Sequence, residues 1–232
     1  MEQLLFAFLL VIAVQVAGQA QDCLGMAFKS GMNYELTMYN TNDKPIGKID
    51  YQIKDVHKEG GSTVIDIVAK FQDEKGNQRE PSTIRYTCTG NELVADMSGL
   101  GMGVLGANSK QELKMKTNTI VYPAKLSVGQ KLDDGLMEAE MYMDGAPMAQ
   151  MNMTLLNRQV ESQQAVTTPA GSYDTYKITA DINYETRVMG IPVRNKMRTV
   201  SYRANNMLFD IKSENYDKKG KLTGYTLLSK AN

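Results

Sequence analysis

Apolar and polar residues alternate one by one along much of the second half of this 232-residue chain. Between Tyr176 and Glu185 every second residue is apolar, a period of two that is typical of a strand with one buried face. Turn-forming residues at 169–172, 189–192 and 205–206 separate such segments. Because parallel strands need long crossovers, these short connections predict an antiparallel meander in this half of the chain.

The first half shows the same alternation of apolar and polar residues, with local departures from the period of two. Val56 falls out of phase with the strand pattern before it, which predicts a β-bulge. Residues 64–71 are apolar on both faces, as expected of a central strand that is covered on both sides. Residues 207–216 alternate again and predict a strand that begins at Met207. The pattern predicts about ten to twelve strands and no long helix, hence an all-β fold with a single antiparallel, strongly curved sheet or half-barrel.

The N-terminal residues have the composition of a signal peptide. An apolar run at 4–16 has the length of a signal core but is too short to span a bilayer. Gly18 and Ala20 are the small residues expected before a cleavage site. Glu2, and the lack of an early Lys or Arg, depart from this pattern, and the alternative is a first strand of the mature fold.

We therefore predict a signal peptide at 1–20 and a single β domain at 21–232. Cys23 raises the question of lipid attachment, but the acidic Asp22 directly before it does not suit such a site. No later segment is long and apolar enough to cross a bilayer as a helix. The predicted mature protein is exported, periplasmic or secreted, soluble and not membrane-spanning.

Charge and cysteine content narrow the functional classes. Lys and Arg together equal Asp and Glu at 26 each, and the basic residues are dispersed along the chain. The basic patch of a nucleic-acid binder is missing from the sequence, so we predict no nucleic-acid partner. Two cysteines, Cys23 and Cys88, in an exported chain predict one disulfide, with two unpaired buried thiols as the alternative.

Residues 98–109 differ from everything around them. Four glycines alternate there with apolar residues that include Leu100, Met102 and Leu105. Glycine lowers both helix and strand preference, whereas the apolar side chains favour contact with other apolar groups. The alternatives are a flexible lid beside a pocket, a short distorted helix and a packed loop.

Several short motifs span most of the predicted mature chain: Gln21-Asp22-Cys23, Tyr86-Thr87-Cys88-Thr89-Gly90, Tyr122-Pro123 with Val128-Gly129-Gln130-Lys131-Leu132, Pro169-Ala170-Gly171, and Gly224-Tyr225-Thr226-Leu227-Leu228. In these motifs the chain resembles the TapB-like family of exported, largely uncharacterised bacterial envelope proteins. The resemblance implies a curved antiparallel sheet or barrel similar to the lipoprotein-carrier half-barrels of the bacterial envelope. It implies no catalytic residues.

Candidate catalytic and metal-binding residues are scarce. His57 is the single histidine and lies in a predicted exposed turn, without the context of a catalytic triad. One histidine and two paired cysteines cannot supply a typical zinc site. The carboxylate pairs Asp133-Asp134 and Glu138/Glu140 have the residue type of glycosidase acids, but nothing else in the sequence supports that activity. We predict no enzymatic activity, no metal and no cofactor.

Methionine is abundant, with 16 residues in the chain. Met137, Met141 and Met143 share one face of a predicted strand, and Met151 and Met153 share one face of the next. Flexible thioethers suit surfaces that accept varied apolar ligands, and thioethers also select Cu(I). The alternatives are a ligand surface, a copper site and simple core filling.

The predicted function is that of a non-enzymatic exported envelope protein. We expect it to bind a hydrophobic or lipid-like molecule on a concave face lined by these five methionines, with Leu100, Met102 and Leu105 beside it. The alternative is an interaction or assembly component that contacts another envelope protein and has no small-molecule ligand. A carrier needs an interior cavity, whereas an assembly component needs an exposed apolar patch.

Overall fold

The computed structural model describes residues 21–232 except 24, 90–91, 97–110, 119, 124 and 206. The predicted signal peptide at 1–20 lies outside the described residues, as does the segment with Leu100, Met102 and Leu105. The described part of the chain contains fifteen strands: β1 Gln21–Cys23, β2 Met26–Phe28, β3 Asn33–Tyr39, β4 Pro45–Glu59, β5 Ser62–Asp73, β6 Ser82–Thr89, β7 Glu92–Asp96, β8 Gln111–Asn118, β9 Val121–Pro123, β10 Gly135–Met143, β11 Ala146–Thr168, β12 Gly171–Val188, β13 Ile191–Arg203, β14 Lys212–Asp217 and β15 Leu222–Ala231.

Strands β3 to β15 form one antiparallel sheet, and β1 and β2 form a separate hairpin. The order across the large sheet is β8-β10-β11-β12-β13-β14-β15-β3-β4-β5-β6-β7-β9. The all-β prediction is therefore confirmed, with thirteen strands in the sheet where about ten to twelve were expected. Three-residue strands such as β9 are too short to show an alternation in the sequence. The described residues include no helix long and apolar enough to cross a membrane.

The sheet is strongly curved, although its strand ladder stays open. β8 and β9 are the two edges, yet only residues 119 and 120 separate the end of β8 from the start of β9. Three Cα–Cα steps therefore bring Asn118 and Val121 within about 11 Å of each other. The Asn118 side-chain amide also donates to the carbonyl of Ala95 on β7. The sheet consequently has an enclosed inner face and a solvated outer face.

The register places the core on the inner face. Ile53, Ile67 and Ile84 lie in one row across β4, β5 and β6 and are nearly inaccessible to solvent. The sequence predicted a bulge at Val56, and the β4–β5 register does shift between Ile53 and Asp55. Regular pairing on both sides of this shift keeps the apolar row facing inward.

The predicted strand at 207–216 is wrong in its first half. β14 begins only at Lys212, and Met207, Leu208, Phe209 and Ile211 are all buried in the core. The expected alternation needs Leu208 on the outer face, but this side chain is 1% exposed. The segment leaves the ladder and fills the interior because burying all four apolar side chains stabilises the fold more than pairing a half-buried strand.

The predicted disulfide is present. Cys23 and Cys88 are bonded, with their Cα atoms 5.8 Å apart, and both residues are buried. The bridge joins the β1–β2 hairpin to β6 of the large sheet. It ties a small two-stranded element, which would be marginal by itself, to the main core.

Candidate functional site: a methionine-lined arm of the sheet

Two adjacent hairpins project from one end of the sheet. β14 pairs with β13 only from Met197 onward, so residues 191–196 of β13 pair with β12 alone. At about 3.4 Å per residue, this hairpin extends about 20 Å beyond β14. β10 and β11 run beside it. We name residues 137–153 of β10–β11 and 184–197 of β12–β13 the arm.

Both hairpins end in two-residue turns with left-handed backbone conformations. Asp144 and Gly145 have φ of 49° and 79°, and Met189 and Gly190 have φ of 50° and 81°. Two successive positive φ angles match the right-handed twist of the flanking strands, which is why Asp-Gly is a strong hairpin signal. Met189 adopts this conformation without the freedom of glycine, so its side chain is held at the very end of the arm.

The five predicted methionines share the inner face of the arm. Met137 lies directly opposite Met153, and Ala139 lies directly opposite Met151. Met141 and Met143 follow on the same face of β10, and Met143 is 39% exposed. This face continues into the core, where Met153 packs against the buried cluster that contains Leu155 and Ile182. The other methionines are half-buried.

The end of the β12–β13 hairpin is apolar and open to solvent. Met189, Ile191 and Val193 are 87%, 69% and 62% exposed, and Val188 is 40% exposed. Val188 pairs with Ile191 on the inner face, in the row that passes through Ala149. The methionine face and this exposed end therefore form one continuous apolar surface. Residues 188–193 are named the tip.

The larger surface grooves are not lined by the five methionines, although two of them include residues within 194–197 of the arm. Grooves of about 440 and 500 Å³ run beside the β14–β15 turn and contain Lys196, Lys218 and Asp217. A third, of about 520 Å³, lies on the outer face beside Tyr202 and Tyr225. Charged and hydrogen-bonding side chains dominate these walls, so their chemistry differs from that of the arm.

The outer-face groove contains a cluster that the sequence analysis missed. Glu214 accepts hydrogen bonds from Tyr216 and Tyr202 at 2.9 and 3.5 Å and pairs with Lys212 at 2.6 Å. Burial acts to raise the pKa of Glu214, but Lys212 and Tyr216 outweigh it and hold this pKa below its ordinary value. Glu214 therefore stays ionised, which suits a structural acceptor better than a general acid. Only the register of β13, β14 and β15 brings these side chains together.

Two buried arginines surround Tyr122 in the interior. The Arg203 and Arg158 guanidinium carbons lie 4.1 and 4.9 Å from the ring centroid. Arg203 pairs with Asp210 at 3.1 Å. Arg158 is 3% exposed, and its Nη1 donates to the carbonyls of Val121 and Asp133. These contacts hold Val121 and Asp133 against β11, whereas Arg158 Nη2 has no hydrogen-bond partner among the described residues.

The remaining candidates form no catalytic arrangement in the described part of the chain. His57 lies in strand β4 and not in the predicted turn, and its Nδ1 is 2.9 Å from Asp55. Asp66 is the third carboxylate or imidazole group in this cluster, and it already forms two hydrogen bonds to Arg85. Its oxygens are thus committed to a guanidinium, which leaves the cluster poorly suited to a metal ion.

The predicted carboxylate pairs are also separate from any acid–base site. Asp133 and Asp134 are exposed in the loop before β10. Lys116 and Tyr142 contact Glu140 and lower its pKa. A glycosidase acid needs a raised pKa, so Glu140 has the opposite property.

Two solved structures share this fold. A "putative lipoprotein" from Parabacteroides distasonis ATCC 8503 matches with a TM-score of 0.72 and 19% identity, over 91% of this chain and 100% of that one. An exported protein with a YmcC-like fold from Bacteroides fragilis NCTC 9343, itself described as putative, matches with a TM-score of 0.67 and 16% identity, over 88% and 96%. No curated protein matches the chain.

The family assignment rests on the sequence itself. The model of the DUF3108-like family matches residues 29–228, which include β3 to β14 and most of β15. The match thus covers the arm, most of the core and the outer-face groove, and it indicates no enzyme class. The chain belongs to the DUF3108-like family.

Proposed function

We propose that this protein is a non-enzymatic, exported envelope protein that binds an apolar or lipid-like molecule across the methionine face of the arm. The observation that carries the proposal is the pairing of Met137 with Met153 and of Ala139 with Met151 on one half-buried face. Thioether side chains adjust to the shape of varied apolar ligands. The site is an open surface that a chain-like molecule would lie along.

Three observations support this proposal. The methionine face is continuous with the core at Met153, so a ligand there would extend an existing apolar layer. The disulfide between Cys23 and Cys88 fits an exported protein, as do the descriptions of the two solved neighbours. The TapB-like resemblance of the short motifs points to the same envelope compartment.

A titration with the fluorescent fatty acid cis-parinaric acid tests the ligand face. The mature wild-type protein should give saturable binding, and native mass spectrometry after organic extraction should identify any lipid that co-purifies. The double variant Met141→Gln, Met151→Gln should weaken binding by about tenfold or more, because two polar amides replace the apolar contacts. Gln159→Glu, an exposed change on the same strand outside the arm, is the matched control.

Absence of binding by the folded wild-type protein, together with a clean apo mass after incubation with a lipid extract, refutes the ligand proposal. It would leave the second candidate function, an interaction or assembly component. The exposed apolar tip specifically favours that candidate, because such patches mark contact sites. A Cu(I) competition titration separately tests the copper hypothesis, and micromolar binding lost in the methionine double variant would support it.

A further inference from the structure

The tip combines exposed apolar side chains with a dense cationic flank. Met189, Ile191 and Val193 project at the end of the arm. From Glu185 to Arg198 the sequence has four Lys or Arg residues against one carboxylate. This local excess contrasts with the formal net charge of zero for the whole chain. The two features together indicate a partner that is both apolar and anionic.

The cations lie on the outer face, opposite the apolar row. Arg187 and Arg194 alternate with Val188 and Val193 along the hairpin, and each places its Nε 2.6 Å from an oxygen of Glu185. Glu185 is thus shared by two guanidinium groups. Positive charge remains in excess on this side of the arm, while the opposite side stays apolar.

The β14–β15 turn adds further cations to the same flank. Lys218 and Lys219 line the 500 Å³ groove together with Arg194 and Lys196. The neighbouring Asp217 carboxylate accepts the backbone N–H groups of Lys219 and Lys221, and so caps the turn. Lys196, Lys218 and Lys219 are exposed and form no ion pair with the carboxylates that the structure describes. Their ammonium groups are available to an external anion.

We infer that the arm docks on an anionic lipid bilayer, with the tip in the headgroup region, Arg187 at the lipid phosphates, and Arg194 and the more distant lysines facing the anionic surface. Interfacial segments bury apolar side chains about 5–10 Å below the surface. Arg187 lies two residues from the turn, about 7 Å along the strand, which is the depth at which a guanidinium can reach phosphate. A soluble polyanion would satisfy the cations but would leave Met189 and Ile191 in water.

This inference concerns the tip and the outer face, so it stands or fails separately from the proposed ligand on the methionine face. A protein that binds cis-parinaric acid without binding vesicles supports the ligand proposal and refutes the membrane inference. A protein that binds vesicles without binding cis-parinaric acid supports the membrane inference and refutes the ligand proposal. The membrane contact is peripheral and adds to the proposed function a route by which an apolar ligand reaches the arm.

Vesicle co-sedimentation tests the inference with the full mature chain. The protein should bind vesicles of phosphatidylcholine mixed with phosphatidylglycerol and should bind pure phosphatidylcholine vesicles weakly. Ile191→Asp with Met189→Asp, and separately Arg187→Glu with Arg194→Glu, should each weaken binding by about tenfold or more. Added salt should weaken the wild-type interaction, because exposed charges are screened.

Matched controls come from a loop outside the arm. Val128 is 57% exposed, so Val128→Asp places a carboxylate on another well-exposed apolar site. Lys125→Glu reverses an exposed charge in the same loop. Both variants should bind anionic vesicles as the wild type does. An equal loss in these controls would assign the effect to net charge and overturn the inference.

The depth of the tip in the bilayer can be measured by tryptophan fluorescence, because the chain contains no native tryptophan. Met189→Trp then supplies the single indole signal, with Val128→Trp as the control. Lipids brominated near the headgroup should quench the indole of the tip variant but not that of the loop control, and only in anionic vesicles. Absence of quenching overturns the inference. An affinity for soluble heparin equal to the affinity for anionic vesicles also overturns it. Self-association that requires the tip, measured by analytical ultracentrifugation, would instead assign this surface to a second copy of the chain.

Discussion

Replacing Phe209 with alanine should be among the most damaging single changes to this fold. Phe209 lies in the irregular segment before β14 and is 7% exposed. Its ring centroid is 4.2 Å from Tyr51 in a stacked arrangement, 5.3 Å from Tyr34 and 6.4 Å from Tyr86 in edge-on arrangements. One side chain thus joins three tyrosines of the inner face.

The magnitude follows from the lost burial and the lost ring contacts. Truncating a buried phenylalanine to alanine costs about 3–5 kcal/mol, including the cavity that remains. Each favourable aromatic pair is worth about 0.5–1.5 kcal/mol within that total. Phe209→Leu retains most of the volume but removes the ring, so it should cost about 1.5 kcal/mol. The difference between the two variants measures the cavity contribution.

Urea denaturation followed by circular dichroism, under conditions where refolding recovers the signal, gives these free energies. Val193→Ala is the control because this residue is 62% exposed, and it should change the free energy of unfolding by less than about 0.5 kcal/mol. A loss below about 1 kcal/mol for Phe209→Ala, or equal losses for the alanine and leucine variants, would refute the role assigned to the ring.

Three further predictions concern the bridge, alkaline pH and a close backbone approach. Serine at both Cys23 and Cys88 should lower the free energy of unfolding by about 4 kcal/mol for a sequence separation of 65 residues. Burial, and to a smaller extent Asp210, raises the pKa of Tyr51 to about 12 from an unfolded value of 10.0. The contribution of the protonated Tyr51 to the free energy of unfolding is therefore complete below pH 10.0 and disappears as the pH rises through about 12. The free energy of unfolding should fall across this window as tyrosinate absorbance appears. Gly224→Ala should cost about 1–3 kcal/mol, because the new Cβ would lie 2.8 Å from the carbonyl oxygen of Tyr39.

Each of these predictions has its own control. Reduced wild-type protein should match the double serine variant, and a difference above about 1 kcal/mol would show that serine disturbs the packing around the cysteines. Tyr51→Phe should show a smaller alkaline loss than the wild type, and an unchanged loss would assign the effect to other groups. Lys221→Ala, an exposed change directly before the same strand, should be nearly neutral, so a similar cost there would contradict the steric argument for Gly224.

Much of the architecture could be predicted because alternation reports directly on a sheet with one buried face. The period of two located β12, and the phase error at Val56 located a bulge. The shared face of the five methionines also follows from alternation along β10 and β11. In each case the information is local, since a strand's inward residues are set by its own pattern.

The rest depends on contacts between distant parts of the chain. Leu208 belongs to an apolar run that the alternating pattern treats as half solvated, yet the curved sheet offers an interior that absorbs the whole run. Tyr202, Glu214 and Tyr216 become a cluster only through the pairing of β13 with β14. Part of the cationic flank was missed for the same reason, because only the pairing of β13 with β14 brings Lys218 beside Lys196. The local excess of Lys and Arg between Glu185 and Arg198 is visible in the sequence, but only the hairpin places it beside an exposed apolar end.

The pairing of β15 with β3 has a consequence for how this chain folds. The hydroxyl groups of Thr37 and Ser229, which form a hydrogen bond, are 192 residues apart in sequence. Contacts of such separation require a large loop to close, which makes folding slow. Until β15 (Leu222–Ala231) has been synthesised, β3 and β14 each keep one unpaired edge that can recruit other chains. Completion of the sheet therefore awaits β15, the last of its strands to be synthesised, although β15 lies in the middle of the strand order.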